Sequence, residues 1–379
     1  MPIFKDILDT IKDGEFSGEM LDLTPRVCKQ KLTDPDVIAL AAVLKSYPRI
    51  KKVNLSYNNI TDSGAEAIAM VTTVEELDFS NDLPGYDEAP NIITGRGAAA
   101  LAKANLKKLI LSGNPVGDAG ISALAFSKTL LVLDLRDCAV TGAGVSAFFL
   151  NNTHVLNLNL ASNQVYSGCL EMIAMNHVIQ ALDLSYCFIN SSGAEFLSRN
   201  DSLVELQLAN NDVGASGVQA LAGHPRLRIL NLYECNLDDS AMPGFATNTT
   251  LTDLNLSSNR MTTQGLEFLC QNKTLRILDL SRNDIEFGAN ELTHLAGMPS
   301  LTHICARNNR LNSEINQESF LRYFGTSTSV EVADCNIYCE LTQKTTSLFY
   351  NQKQYKTRFA SVLEESEALS TGFSKRFKP

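Results

Sequence analysis

From about Ile50 to about Ile337 the chain repeats one frame of apolar and polar positions, L-x-x-L-x-L-x-x-[N/C]-x-[I/V/L]-x-x-x-G. Taking the middle apolar position of each copy as a marker gives Val53, Leu77, Leu109, Leu133, Leu158, Leu182, Leu206, Leu230, Leu254, Leu278, Ile304 and Val330. The steps between them are 24, 32, 24, 25, 24, 24, 24, 24, 24, 26 and 26 residues, and a degenerate further copy begins at Leu21. A period of this length means one supersecondary unit stacked many times. Leu109 and Leu111 alternate with polar or small neighbours, which predicts a short half-buried strand. Each unit then supplies Gly and an Ala-rich run, as in Gly97–Ala102, Gly120–Ala125 and Gly217–Ala222. Their i, i+3, i+4 spacing predicts a short helix packed against the strand. One unit has too little interior to be stable alone, so neighbours must share a continuous core. Strands then line a concave parallel sheet, and helices form the convex back.

The turn after each strand carries Asn58, Asp82, Asn114, Cys138, Asn163, Cys187, Asn211, Cys235, Asn259, Asn283, Asn309 and Cys335 at one equivalent place. Backbone polar groups at that turn lie inside the stack, where leaving one unpaired costs roughly 1–3 kcal/mol. An Asn amide carries both donors and an acceptor for them, and Cys fits the same slot as a small, weakly polar side chain. The recurring Gly residues are read as serving turn geometry. These features predict a leucine-rich-repeat solenoid, a right-handed α/β horseshoe. The Asn/Cys alternation is similar to that of ribonuclease-inhibitor-like repeats, although those are usually longer. The unit length and G-A-x-A-L-A run resemble the GALA-type repeats of bacterial effectors. That resemblance implies a protein-interaction scaffold, since function lives in sites placed on a fold. The F-box of GALA effectors finds no match in the roughly 20 residues before Leu21.

Three parts are expected: a helical cap over residues 1–20, a repeat array over 21–339, and a helical cap with a flexible tail over 340–379. Ile3, Phe4, Ile7, Leu8 and Ile11 recur at helical spacing, as an amphipathic cap requires. The one long step marks an inserted loop over 83–91, placed just after the ladder position at Asp82. Its Pro84-Gly85 pair favours a tight turn that presents Tyr86, Asp87 and Glu88. After Cys339 the periodicity stops. The cluster Glu364, Glu365 and Glu367, followed by Phe373 and Phe377, resembles the C-terminal translocation signals of Dot/Icm-type type IV secretion effectors. That resemblance implies delivery into a host cytosol.

Composition narrows the partner class. With 42 acidic and 32 basic residues the formal net charge is −10, which opposes nucleic-acid or anionic-membrane binding and suits a basic protein partner. Nine cysteines without paired or metal-ligand spacing suit reduced thiols in a cytosol. No apolar window reaches membrane-span length, and a Sec-type leader is not expected.

On the inner face, departures from the Ser, Asn and Asp background mark Tyr57, Arg136, Asp137, Tyr186, Tyr233, Glu234, Arg282 and Arg307 as partner-binding candidates, read as rows on the strands. Aromatic and Arg side chains bring large contact area at limited entropic cost. The loop residues Tyr86, Asp87 and Glu88 join them at the rim. Catalysis requires a nucleophile with a base, or a convergent acid pair, in a recess. The histidines His154, His177, His224, His294 and His303 fall in different repeats, Asp134, Asp183 and Asp279 alternate, and no phosphate-loop motif is present. The expectation is therefore a non-catalytic monomer with no cofactor and no metal, recognising a protein partner. The alternatives are a GTPase-activating protein of the Ran type, which is also built from ribonuclease-inhibitor-like repeats, and a housekeeping repeat scaffold.

Overall fold

The computed structural model describes residues 4–81, 90–311 and 331–332. Over these residues the chain forms a 13-stranded parallel sheet whose strands follow one another in sequence order, with helices along one side. Twelve of these strands are three residues long, from Met20–Asp22 and Lys52–Asn54 through Ala181–Asp183 to His303–Cys305, and the last is Glu331–Val332. The marker residues pair directly across the sheet: Leu21 with Val53, Leu158 with Leu182, Leu278 with Ile304. The last partner is an exception, because Ile304 pairs with Val332 and not with the expected Val330. A two-residue slip keeps the side chain on the same face of a strand, so the apolar pattern alone does not distinguish the two registers.

A single apolar core runs through the stack, with Leu109, Leu133, Leu182, Leu206 and Leu230 fully or almost fully buried and Phe79, Phe148, Phe245 and Phe287 filling the wider layers. At the start of the chain, helix Phe4–Lys12 buries Phe4, Ile7, Leu8 and Ile11. It is tied down where Tyr47 Oη donates to Lys12 O at 2.5 Å.

The inner turn is held by the expected amide ladder, in more detail than the pattern implied. Asn163 Nδ2 donates to Leu135 O and Leu160 O, each at 2.8 Å, and so joins two turns of the solenoid. Its Oδ1 accepts from Cys138 N at 3.0 Å and Val140 N at 2.9 Å in the preceding repeat. Asn211 and Asn259 do the same for Cys187 and Ile189 and for Cys235 and Leu237. A Cys in the slot only donates: Cys138, Cys187 and Cys235 send Sγ to Leu111 O, Leu160 O and Leu208 O at 3.2, 3.1 and 3.2 Å. Burial pushes the thiols of Cys187 and Cys235 up to about 12, which keeps them protonated and able to donate.

The ladder also corrects the position of the long insertion. The slot expected at Asp82 is filled by Asn91, whose Nδ2 donates to Leu55 O and Phe79 O while its Oδ1 accepts from Ile60 N. The additional residues therefore precede the ladder residue instead of following it. Asn81 closes their base by accepting from Asn91 N and donating to Asn91 O.

Two further inter-repeat networks lie at the ends of the helices. Asp62, at the first position of one helix, accepts from Thr94 N, Thr94 Oγ1 and Gly97 N of the next repeat. Asp34, Asp118 and Asp239 clasp Thr61, Thr141 and Thr262 in the same way. This gives the helical Gly residues a reason other than the turn geometry expected for them: a Cβ on Gly97 would stand 2.5 Å from Asp62 Oδ1. At the other end, Asn176 donates to Phe149 O and Asn152 O and accepts from Val178 N and Ile179 N. Asn200, Asn248 and Asn272 repeat the arrangement. His224 takes the corresponding place between Asn200 and Asn248, and its Nδ1 accepts from Arg226 N and Leu227 N.

Two outcomes follow. Asn163→Ala strips five backbone groups of a buried partner and is expected to lower unfolding free energy by at least about 1 kcal/mol; an unchanged urea midpoint would refute the ladder's role. Burial holds the His224 imidazole below its ordinary value of 6.5, so the unfolded chain takes up that proton first. Stability from this site is complete above 6.5 and declines as pH falls from there towards the folded value. His224→Asn keeps an acceptor and cannot titrate. Its stability advantage over the parent is expected to grow between pH 7.5 and pH 5, read by denaturant unfolding at each pH, and a constant difference would count against the assignment.

Candidate interaction surface

The Asn and Asp residues one place beyond each marker, which include the alternating Asp134, Asp183 and Asp279, are committed to structure. Asn54, Asp134, Asp183, Asn231 and Asp279 each accept, through Oδ1, the backbone N–H two residues on, at 2.8–3.0 Å. The bond satisfies a donor that has left the sheet. Burial raises the Asp183 carboxyl above its ordinary value, offset by the hydrogen bonds from Ser185 and by the charge of Arg136. At the strand starts the inner face carries ion pairs, with Glu75 between Lys51 at 3.2 Å and Lys107 at 2.6 Å, and Glu76 against Lys52 at 2.6 Å. In the middle of the floor Asn157, Ala181, Glu205 and Gln207 are buried.

The strands end one residue past the marker, which moves most of the partner-binding candidates. Arg136, Tyr233 and Arg307 stand three residues past it, and Tyr57, Asp137, Tyr186, Glu234 and Arg282 four past it. They occupy the turn at the strand ends, the rim of the horseshoe, and not the strand floor expected for them. Tyr86, Asp87 and Glu88 lie outside the described residues. Tyr57, Asp137, Tyr186, Glu234 and Arg282 all have left-handed backbone, with φ of 62°, 51°, 57°, 53° and 55°. Tyr186, Tyr233, Glu234 and Arg136 form one electrostatic neighbourhood: burial, then Glu234 and Tyr233, raise the Tyr186 hydroxyl above its ordinary value, and Arg136 opposes them.

The Cys slots shape this rim further. Cys supplies no amide oxygen to the preceding repeat, so that repeat turns its chain back, Val116 N donating to Asn114 O, and Gly117 N then reaches Cys138 O of the following repeat. The bend puts Gly117 and Gly214 at φ of 62° and 63°, each three residues after a ladder Asn. The equivalent residue after Asn163 is Tyr166, with φ 56° and ψ 155°, a conformation normally left to glycine. Its N–H makes the same bond, to Cys187 O at 3.1 Å. The residue after each Cys is left-handed as well, and where other repeats carry Ala139 and Asn236 this one carries Phe188 at φ 59°.

Tyr166 and Phe188 stack with ring centroids 5.2 Å apart and planes 20° from parallel. They are 52% and 63% exposed, and Tyr186 beside them is 51% exposed. Three bulky residues thus occupy strained, solvent-facing positions in adjacent repeats. Sequence reasoning singled out Tyr186 and missed the other two. The signal for Tyr166 was an aromatic residue standing where Gly117 and Gly214 stand.

The histidines serve other ends. His177 Nδ1 lies 2.6 Å from Asp201 Oδ1, both exposed, and His224 belongs to the ladder at the helix ends. Among the described residues no group of three or more His, Cys, Asp or Glu is placed to hold a metal ion, and no helix is long and apolar enough to cross a membrane.

A family model described as leucine rich repeat matches residues 50–69, 103–125, 126–149, 176–198, 199–222, 247–270 and 271–286. The chain is a leucine-rich-repeat solenoid. Its fold is similar to that of solved leucine-rich-repeat structures. A crystal structure of the yeast Rad7 and Elc1 complex aligns with TM-score 0.54 and 14% identity over 86% of each chain. The mouse RP105/MD-1 complex gives TM-score 0.51 and 18% identity over 84% of this chain and 61% of that one. An internalin from Listeria monocytogenes gives 0.50 and 18% over 92% and 94%. No curated protein sequence matches the chain.

Replacing Tyr166 by Gly removes a conformation that costs of order 1–3 kcal/mol and gives up one exposed ring contact. Tyr166→Gly is therefore expected to unfold at the same or a higher urea concentration than the parent. A clear loss of stability would show that the stack, and not the backbone, dominates.

Proposed function

We propose that this leucine-rich-repeat solenoid is a non-catalytic scaffold that holds a protein partner against its concave side, with the strand-end rim around Tyr186 and Tyr233 as the main contact. The observation that carries the reading is a division of labour among the side chains. The Asn, Asp, Thr and Cys residues of the repeat are spent on bonds between turns, whereas the rim displays Tyr186, Glu234 and Arg282 on left-handed backbone that smaller residues would occupy at less cost. Strain retained on an open surface supports a role outside the fold, and aromatic and Arg side chains are the types that dominate protein interfaces. Two of the similar structures, Rad7 with Elc1 and RP105 with MD-1, are protein complexes, in keeping with this class of role.

The proposal extends to place of action. Buried thiols held protonated, as at Cys187 and Cys235, suit a reducing cytosol. The resemblance of the Glu364–Phe377 segment to type IV translocation signals supports a bacterial effector delivered into a host cell, where the partner is a host protein.

Affinity capture from a host-cell lysate tests the first part: the parent is expected to retain a protein that the Tyr186→Ala/Tyr233→Ala double variant loses, and identical captures would remove the central patch. For the second part, residues 360–379 fused to a reporter are expected to direct its secretion-dependent transfer; a reporter that stays in the bacterium removes the effector role and leaves the scaffold standing.

A further inference from the structure

An open depression of 460 Å³ lies beside the Tyr166–Phe188 stack at the strand-end rim. One wall is Phe188, and the others include Asn210, Asp212 and Glu234. The two carboxylates form no ion pair with another described residue. The site thus offers an aromatic surface and two negative charges within one recess.

We propose that this recess takes an Arg or Lys side chain from an extended segment of a partner protein, the basic head group lying between Asp212 and Glu234 and its stem against the Phe188 ring. The inference rests on the scaffold reading and names the chemistry of the contact. The apolar stem of an Arg or Lys packs on an aromatic ring while its charged head stays with the carboxylates, and a planar guanidinium also matches carboxylates through paired N–H donors. The net charge of −10 favours approach of a basic partner over an acidic one. The stacking of Tyr166 on Phe188 holds the two rings in place before the partner arrives, so little side-chain freedom is lost on contact. The site makes its own demand on the repeat: the Cys187 slot creates both bends, and the aromatic residues at those bends make the wall.

The test uses the full chain and a phage-displayed library of random dodecapeptides. Selection on the parent is expected to enrich peptides carrying Arg or Lys. A synthetic copy of an enriched peptide is expected to lose at least tenfold in affinity for Phe188→Ala and for the Asp212→Asn/Glu234→Gln pair, while Phe126→Ala, an exposed aromatic 59% accessible in another repeat at a helix end, leaves it unchanged. Circular dichroism melts show whether each variant is folded, and Asp212→Asn with Glu234→Gln keeps shape while removing charge. Enrichment of peptides without basic residues overturns the proposal, as does binding indifferent to the Phe188 and carboxylate variants, or failure to select any peptide that prefers the parent to Phe188→Ala. None of these results touches the scaffold reading, which is decided separately by whether lysate capture depends on Tyr186 and Tyr233.

Discussion

A solenoid leaves backbone N–H and C=O groups facing inward at every turn, and the structure depends on finding a partner for each of them. Strand pairing serves three residues per repeat. The remaining groups at the inner turn are reached by one short side chain, and the geometry leaves room for an amide or a thiol and little else. Asn163 illustrates the constraint, since its single amide donates to backbone of two repeats and accepts from two N–H groups of the preceding one. Because leaving a buried group unpaired costs more than a typical hydrogen bond contributes, the choice of residue at this slot governs the path of the chain on either side.

The alternation of Asn and Cys shows that control. An amide accepts from the repeat before it, and the chain there stays extended into the helix. A thiol does not, and the chain before it bends through a left-handed residue to satisfy itself. The same substitution that looks conservative inside the core therefore changes the shape of the rim. Rim and core are coupled through hydrogen-bond supply, which is why exposed residues such as Tyr166 owe their conformation to a buried Cys187 in the following repeat.

The fold was legible in the chain because its determinants are periodic: Leu109, Leu133 and Leu158 announce one another, and a pattern of two and three-to-four residue spacing has few structural solutions. The amide ladder was legible for the same reason, apart from the repeat in which the insertion displaced it from Asp82 to Asn91. The recognition surface was less so. Tyr186 and Tyr233 were visible as departures from the repeat, but their place on the turn instead of the strand depended on where each strand ends, and strand ends are set by hydrogen bonding that hydrophobic period does not report. Phe188 drew no notice because an apolar residue beside a buried Cys reads as core. The Asp–Thr clasp and the Asn series at the helix ends went unread since their partners are 23 to 32 residues apart, and only stacking brings them together.

The displaced ladder residue has a bearing on how such a molecule can change. Asn91 stands ten residues after Asn81, and its amide still reaches Leu55 O and Phe79 O as its counterparts do. Chain length is thus uncoupled from stacking at this one joint, because the slot asks only for the right functional group and is indifferent to how many residues were traversed beforehand. New segments can be spliced into a finished array there without resetting the coils on either side, so evolution can alter one margin of the protein while its interior keeps the same bonds.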